Sequence, residues 1–125
     1  DLEVGDEIQK KMVEYAYAVL KSKKGRACFL NFALRINKEC DCWPYENERI
    51  APDVGILAAT DPVAIDAIAL KLVTAKRLEV FGPRESRVMP YPRSIEAADI
   101  KHRLGTCDSN KIDLVKLGWQ DGILI

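Results

Sequence analysis

Two cysteines one residue apart, Cys40 and Cys42, are the sharpest chemical signal in this chain of 125 residues. Thiolates are soft ligands suited to zinc, copper(I) and iron–sulfur clusters, and Pro44 just beyond the pair favours a turn that brings both sulfurs to one metal. Because two thiolates do not complete a tetrahedral site, the other ligands are expected from Cys107, His102, a carboxylate or another chain. The alternative is that the thiols serve loop packing or redox chemistry.

Three aspartates follow the thiol pair, at Asp53, Asp61 and Asp66. Asp61 stands before Pro62, the pattern of a helix N-cap followed by proline at the first helical position, so its expected role is structural. Asp66 lies on a helix that is apolar around most of its circumference, and the residues three and four positions on cannot pair with it. Asp53 and Asp66 are therefore candidate metal ligands, although Asp66 could equally border the polar face of the helix and Asp53 could form a turn.

Asp61 also marks the junction between a strand and the helix that begins at Pro62. This strand-to-helix junction suggests a second hypothesis, an enzyme or binding protein for a small anionic ligand. N–H groups at the helix N-terminus around Asp61 would hold the anion, and Asp66 would act as the base. This hypothesis predicts a concave pocket at that junction, with Asp66 exposed to it and with a raised carboxyl pKa. The chain has no glycine-rich phosphate loop and no Gly-x-Ser-x-Gly elbow, so the sequence defines neither a nucleotide site nor a serine nucleophile.

Hydrophobic periodicity places these residues on a mixed series of helices and strands. The predicted elements, in chain order, are a helix at 6–24, a strand at 26–36, a loop at 37–53, a strand at 54–59, a helix from 62 to about 77, an irregular stretch at 80–93, a helix at 94–104 and a strand at 111–117. Asp6 and Gln9 resemble a capping box for the first helix, and the lysines at its end (Lys21, Lys23 and Lys24) are expected to be a solvated helix terminus.

Two apolar faces predict how these elements pack. Ile8, Met12, Tyr15 and Val19 form one stripe of the first helix, and this stripe is expected to face the core. The strand at 26–36 is apolar on both faces, as in a central strand of a covered sheet. We therefore expect an α/β fold with a sheet of about three to five strands covered by helices.

Composition limits the domain count and the partners. With 48% hydrophobic residues the chain can bury one core, a single domain at 1–125, and the missing initiator Met is consistent with a fragment. Basic and acidic residues number 19 each, which argues against nucleic acid and against a polybasic membrane surface. No apolar run is long enough to span a bilayer, and the N-terminus lacks the features of a signal peptide. The four cysteines do not form a secreted disulfide framework, so we expect a cytoplasmic protein.

The Cys-Asp-Cys motif at 40–42, combined with Pro-Asp-Val-Gly-Ile-Leu-Ala-Ala-Thr-Asp-Pro-Val-Ala-Ile-Asp at 52–66, resembles a prokaryotic family, domain-of-unknown-function family 362. Members are often labelled iron–sulfur centre or cluster-binding proteins. The resemblance spans most of residues 6–117 and implies that the chain is the C-terminal part of the family domain. Carried over by position, the residues that it marks are Cys40, Asp41, Cys42, Asp53, Asp61 and Asp66.

The resemblance implies a metal ion or an iron–sulfur cluster as cofactor, without defining one reaction. The family has no settled biochemical activity, and its cluster label comes largely from members with ferredoxin-like Cys-x-x-Cys-x-x-Cys segments, which this chain lacks. The leading hypothesis is a metal- or iron–sulfur-associated protein whose ligands are Cys40, Cys42, Asp53, Asp66 and Cys107. A third hypothesis is a non-catalytic half-domain that pairs with itself, with a partner chain or with a missing N-terminal segment. It predicts exposed apolar surface near the first strand or the tail.

Overall fold

A computed structural model describes residues 2–38, 44–45, 47–82, 92–120 and 123–124, and the architecture is that of these residues. The protein is a mixture of helices and strands, as predicted. In chain order the elements are α1 (Leu2–Leu20), a 3₁₀ turn (Lys21–Lys23), β1 (Phe29–Ala33), β2 (Gly55–Ala59), α2 (Pro62–Phe81), α3 (Arg93–Glu96), its continuation as a π-helical turn (Ala97–Lys101), a second 3₁₀ turn (Ser109–Lys111), β3 (Trp119–Gln120) and β4 (Ile123–Leu124).

The sheet is smaller than the sequence predicts. β1 pairs antiparallel with β2, with Phe29 opposite Ala59 and Ala33 opposite Gly55, while β3 pairs with β4. Within the described ranges each sheet therefore has two strands, and the expectation of three to five strands is wrong. The strand predicted at 111–117 is also wrong. Its apolar residues alternate imperfectly, and the chain there leaves a 3₁₀ turn as irregular backbone.

The β1–β2 hairpin continues beyond its strands through Asn37 and Arg49, which form an isolated antiparallel bridge. Asp53 fastens this extension, because its Oδ1 accepts the backbone N–H of Arg35 at 2.7 Å and the Arg49 guanidinium at 2.7 Å. Arg35 has a φ of 51°, a left-handed conformation that non-glycine residues seldom adopt. The two ends of the segment between Lys38 and Glu48 are thereby held together.

The helix α2 is the central element and packs against both strands and against α3. It begins at Pro62, as predicted, and extends past the predicted end to Phe81, where Gly82 at a φ of 73° terminates it. Its buried side chains are all apolar, and three of the six are alanine: Val63, Ala64, Ile65, Ala67, Ile68 and Ala69. Val63 and Ala67 meet Ile95 of α3 to form the centre of the core.

The first helix, α1, turns a different face to the core from the one predicted. Among the α1 residues from Gly5 onwards Val13 is the buried one, whereas the stripe of Ile8, Met12, Tyr15 and Val19 is 49–76% exposed. α1 begins at Leu2, so the capping roles predicted for Asp6 and Gln9 are also wrong. Asp6 instead pairs with the Arg93 guanidinium at 2.9 Å, and the Gln9 amide oxygen accepts the Ser94 N–H at 3.1 Å. These two contacts orient α1 on the start of α3.

The outer face of the β1–β2 sheet is likewise uncovered by the described chain. Leu30 and Phe32 on β1 and Ile56 on β2 are 60–63% exposed, so the central, covered strand predicted at 26–36 is wrong. Alternation brings apolar side chains to both faces, but α2 covers the face that carries Phe29 and Ala33. The described part of the chain contains no helix that could cross a membrane.

Candidate functional site

Asp61 is the N-cap of α2. Its Oδ1 accepts the backbone N–H groups of Val63 and Ala64, each at 2.8 Å, and its Oδ2 accepts the Thr106 N–H at 3.0 Å. The predicted role of Asp61 as a helix cap is confirmed. Because this carboxylate already occupies donors of the first turn, an anion bound nearby needs other cationic or N–H groups.

A second carboxylate, Asp99, holds the segment that passes Asp61. Asp99 Oδ2 accepts the Cys107 N–H at 2.8 Å and the Thr106 hydroxyl at 3.5 Å. The bond from the Cys107 N–H lowers the pKa of Asp99, since it favours the ionised form. Gly105 lies so close to Asp61 that an added Cβ would overlap its carboxylate. Hydrogen bonds to Asp61 and Asp99 therefore fix the backbone at 105–107 against the start of α2.

Asp66 lines a shallow, open depression of about 340 Å³ between β1, α2 and α3, which we call the Asp66 pocket. Asn31 on β1 donates its side-chain N–H to Asp66 Oδ1 at 3.3 Å. The walls beyond these two groups are mainly apolar, including Leu70, Val73 and Ile95. Loss of hydration beside these walls raises the pKa of Asp66, and the Asn31 hydrogen bond opposes that rise only partly.

The solvent access of Asp66 matters for what it can do. Its side chain is exposed on the rim of the pocket, and it forms no ion pair with any described residue. The raised pKa and the open access are two features that the small-ligand hypothesis predicts. The pocket itself includes none of residues 59–62, since Thr60 and Pro62 line a second cavity. A carboxyl of this kind can exchange a proton with a bound molecule.

A second cavity of about 370 Å³, the basic pocket, lies between the end of α1 and the start of α2. No described Asp or Glu lines it, whereas five basic side chains do: Lys21, Lys23, Lys24, His102 and Arg103. Tyr17 stacks near His102 with ring centroids 5.0 Å apart, and the Lys21 ammonium lies 5.9 Å from the Tyr17 ring centroid. None of the three lysines or Arg103 forms an ion pair within the described chain. Their charge is therefore available to an anion.

The two pockets are neighbours along the same elements. On α2, Pro62 lines the basic pocket and Asp66 lines the other, one helical turn apart, a rise of about 6 Å. On β1, Phe29 and Asn31 stand in the same relation, two residues apart on one face, or about 7 Å. Residues of the same two elements, β1 and α2, therefore line both pockets.

The predicted metal ligands do not converge among the residues that the structure describes. Cys40 and Cys42 lie outside those residues. Asp53 fastens the hairpin, Asp66 faces its pocket, and Cys107 is half-buried against the core. The described ranges contain no group of three His, Cys, Asp or Glu side chains close enough to hold a metal ion. These three residues therefore do not form a metal site by themselves.

Comparison with known families decides the relationship of the chain. A family model described as a domain of unknown function, DUF362, matches residues 2–71, more than half of the length. The chain belongs to the DUF362 family. The DUF362 match includes α1, the hairpin and the first half of α2, and therefore Asn31, Asp61 and Asp66, while His102 and Arg103 lie beyond it. No curated protein and no solved structure matches the chain.

Sequence reasoning missed most of the basic pocket and the role of Asp99. The lysines after α1 have the composition of an ordinary solvated helix end, and the residues that complete the pocket follow about eighty positions later. No local spacing connects groups so far apart. The one sequence signal was Asn31, a polar residue in an otherwise apolar strand, and it proves to be the partner of Asp66.

Proposed function

We propose that the protein binds a small organic anion in the groove formed by the basic pocket and the Asp66 pocket. The observation that carries the proposal is a cavity lined by five basic side chains, whose wall residue Pro62 lies one helical turn from Asp66 in the neighbouring pocket. In a chain of zero net charge, a cavity lined by basic side chains and by no described acidic one attracts anions. The chemical class is an organic phosphate or carboxylate with an apolar part.

The arrangement favours acid–base chemistry on the bound molecule. Lys21 and Arg103 neutralise the anionic group, and Phe29 and Pro62 supply apolar surface beside it. Asp66 is the group that accepts or returns a proton, with Asn31 fixing the direction of its carboxyl. A carboxyl with a raised pKa is a stronger base once ionised, which suits it to this role.

The anion can be detected at His102, the single histidine of the chain. We expect its ring-proton NMR signals to shift saturably on titration with inorganic phosphate, with succinate, or with both, because His102 lines the basic pocket. A response to phosphate alone identifies the phosphate class, and a response to succinate alone identifies the carboxylate class. No saturable shift with either anion would contradict the proposal.

Variants test whether the anion binds in the basic pocket. Lys21→Ala combined with Arg103→Ala should weaken anion binding by about tenfold or more, since each removes a charged hydrogen-bond donor. Lys71→Ala removes one positive charge from α2 outside both pockets, against two in the double replacement, and should leave binding unchanged. Equal weakening by Lys71→Ala would show that the response reflects only the overall charge.

A soft metal held by Cys40 and Cys42 is the second candidate function, and it extends the proposal to a cytoplasmic protein whose thiols stay reduced. The supporting observation is the bridge between Asn37 and Arg49, which holds together the ends of the segment that carries both thiols. Asp53, Asp66 and Cys107 have other contacts or surroundings in the described structure. The further ligands are therefore expected from elsewhere, including another chain.

Protein purified without chelator is expected to carry zinc, iron or copper, measured by elemental analysis and by an anaerobic visible spectrum. Cys40→Ala combined with Cys42→Ala should remove the metal, because both soft ligands are lost. Cys28→Ala is the matched control, since this thiol is free and exposed on the approach to β1. Metal content that survives the double replacement, or that is absent from the unaltered protein, would overturn this candidate.

A further inference from the structure

The exposed stripe of α1 has the spacing of a helix-pairing surface. Ile8, Met12, Tyr15 and Val19 are separated by four, three and four residues, which is the spacing of the two apolar positions of a heptad. All four are 49–76% exposed, while the helix packs on α3 through a different face. An apolar seam along a helix of 19 residues is typical of an interaction site rather than of a solvated surface.

The charges beside this stripe identify the partner. Along one flank they alternate in sign, in the order Glu7, Lys11, Glu14 and Lys21. The midpoint of the stripe falls between residues 13 and 14. When a second α1 is reversed about that midpoint, its Lys21 comes opposite Glu7 and its Glu14 comes opposite Lys11, each within about two residues, or about 3 Å along the axis.

In a parallel pair the corresponding flanks of the two copies lie on opposite sides of the interface, so these charges do not meet each other. The flanking side chains are accessible, since Glu7 and Lys10 form an exposed pair and Glu14 pairs with Lys101 while remaining half-exposed. The alternating order therefore selects an antiparallel partner with the same sequence.

We propose that α1 pairs with α1 of a second copy of this chain, antiparallel, with the two stripes packed face to face. The arrangement is a two-fold symmetric contact in which each surface meets itself. Met12 and Tyr15 lie at its centre, opposite Tyr15 and Met12 of the second copy, where truncation of large side chains weakens an interface most. None of the four stripe residues lines either pocket, although Lys21 of the charged flank also lines the basic pocket.

Sedimentation velocity over a concentration series tests the pairing. We expect a concentration-dependent dimer, and we expect Met12→Glu to raise its dissociation constant by at least about tenfold, because a charge would be buried at the centre of the seam. Ile100→Glu is the matched control, since Ile100 is as exposed as Tyr15, at 76%, but lies off α1. A monomer at every concentration, or a dimer that Met12→Glu leaves intact, would overturn the proposal.

Charge exchange tests the direction of the helices. Lys11→Glu alone and Glu14→Lys alone should each weaken the dimer several-fold, and the two together should restore most of the affinity, because the pair is re-formed with opposite polarity. Circular dichroism of each variant confirms that α1 remains helical, which matters because Glu14 also pairs with Lys101. If the combined variant is as weak as the single ones, the antiparallel arrangement is wrong.

Discussion

Asp61→Ala is expected to lower the free energy of unfolding by about 2 kcal/mol, measured by urea denaturation at neutral pH. The change removes the N-cap of α2, a loss that typically costs about 1 kcal/mol. It also leaves the part-buried Thr106 N–H without its acceptor, which adds a cost of about 1 kcal/mol. Since α2 is the element on which both strands and α3 pack, the loss should reduce the stability of the whole core.

Gly105→Ala tests the same contact from the other side. A Cβ at this position would overlap the Asp61 carboxylate, so the replacement should destabilise the protein by about 1–3 kcal/mol. In the Asp61→Ala background the same replacement should cost much less, because the obstructing carboxylate is gone. Asp108→Ala is the control, since Asp108 caps only a three-residue 3₁₀ turn and should have a smaller effect. Additive effects of Asp61→Ala and Gly105→Ala would show that the two residues do not interact.

Asp66→Asn is expected to stabilise the protein at neutral pH, on the order of 0.5 kcal/mol after allowance for the solvent access of the carboxyl. The pKa of Asp66 is raised above its ordinary value of 3.8 in the folded protein, so the folded state binds this proton more tightly than the unfolded state. Stability is therefore greatest below the ordinary pKa, falls as pH rises towards the raised folded pKa, and is constant above it. Asparagine lacks this titration.

The difference in unfolding free energy between the original protein and Asp66→Asn, measured from below pH 3.8 to neutral pH, isolates this effect. It should be small at the acid end and grow with pH, in favour of asparagine. Asp53→Asn is the control and should have the opposite sign, because it weakens the bonds from the Arg35 N–H and the Arg49 guanidinium. A destabilising effect of Asp66→Asn at neutral pH would mean that Asp66 holds the fold together rather than serving a site.

What the sequence predicts well is local. The start of α2 follows from Asp61 and Pro62, whose capping chemistry acts within a few residues, and the structure has this helix beginning at the predicted residue. The apolar stripe of α1 is likewise present as a continuous stripe. Periodicity reports that a face is apolar but not which molecule covers it, so the assignment of that stripe to the core of the same chain is wrong.

The site required contacts that no local rule supplies. Asn31 and Asp66 are 35 residues apart, and their hydrogen bond depends on how β1 lies against α2. The basic pocket joins the end of α1 to residues 102 and 103. The size of the sheet is overestimated for a related reason, because an edge strand with apolar residues on both faces has the same sequence pattern as a central one. Exposed apolar surface near the first strand is the feature that the half-domain hypothesis predicts.

The contacts of Asp53 and the bridge between Asn37 and Arg49, at the loop end of the hairpin, have a consequence for the thiol pair. Because Asp53 and the bridge from Asn37 to Arg49 fix both ends of the segment that carries Cys40 and Cys42, most of the entropy of closing that loop is lost when the hairpin folds. A ligand of the thiols and the hairpin are then thermodynamically linked, and each stabilises the other by the same free energy. Asp53 would thus set the affinity of the loop for a metal from a distance, without contributing a ligand atom.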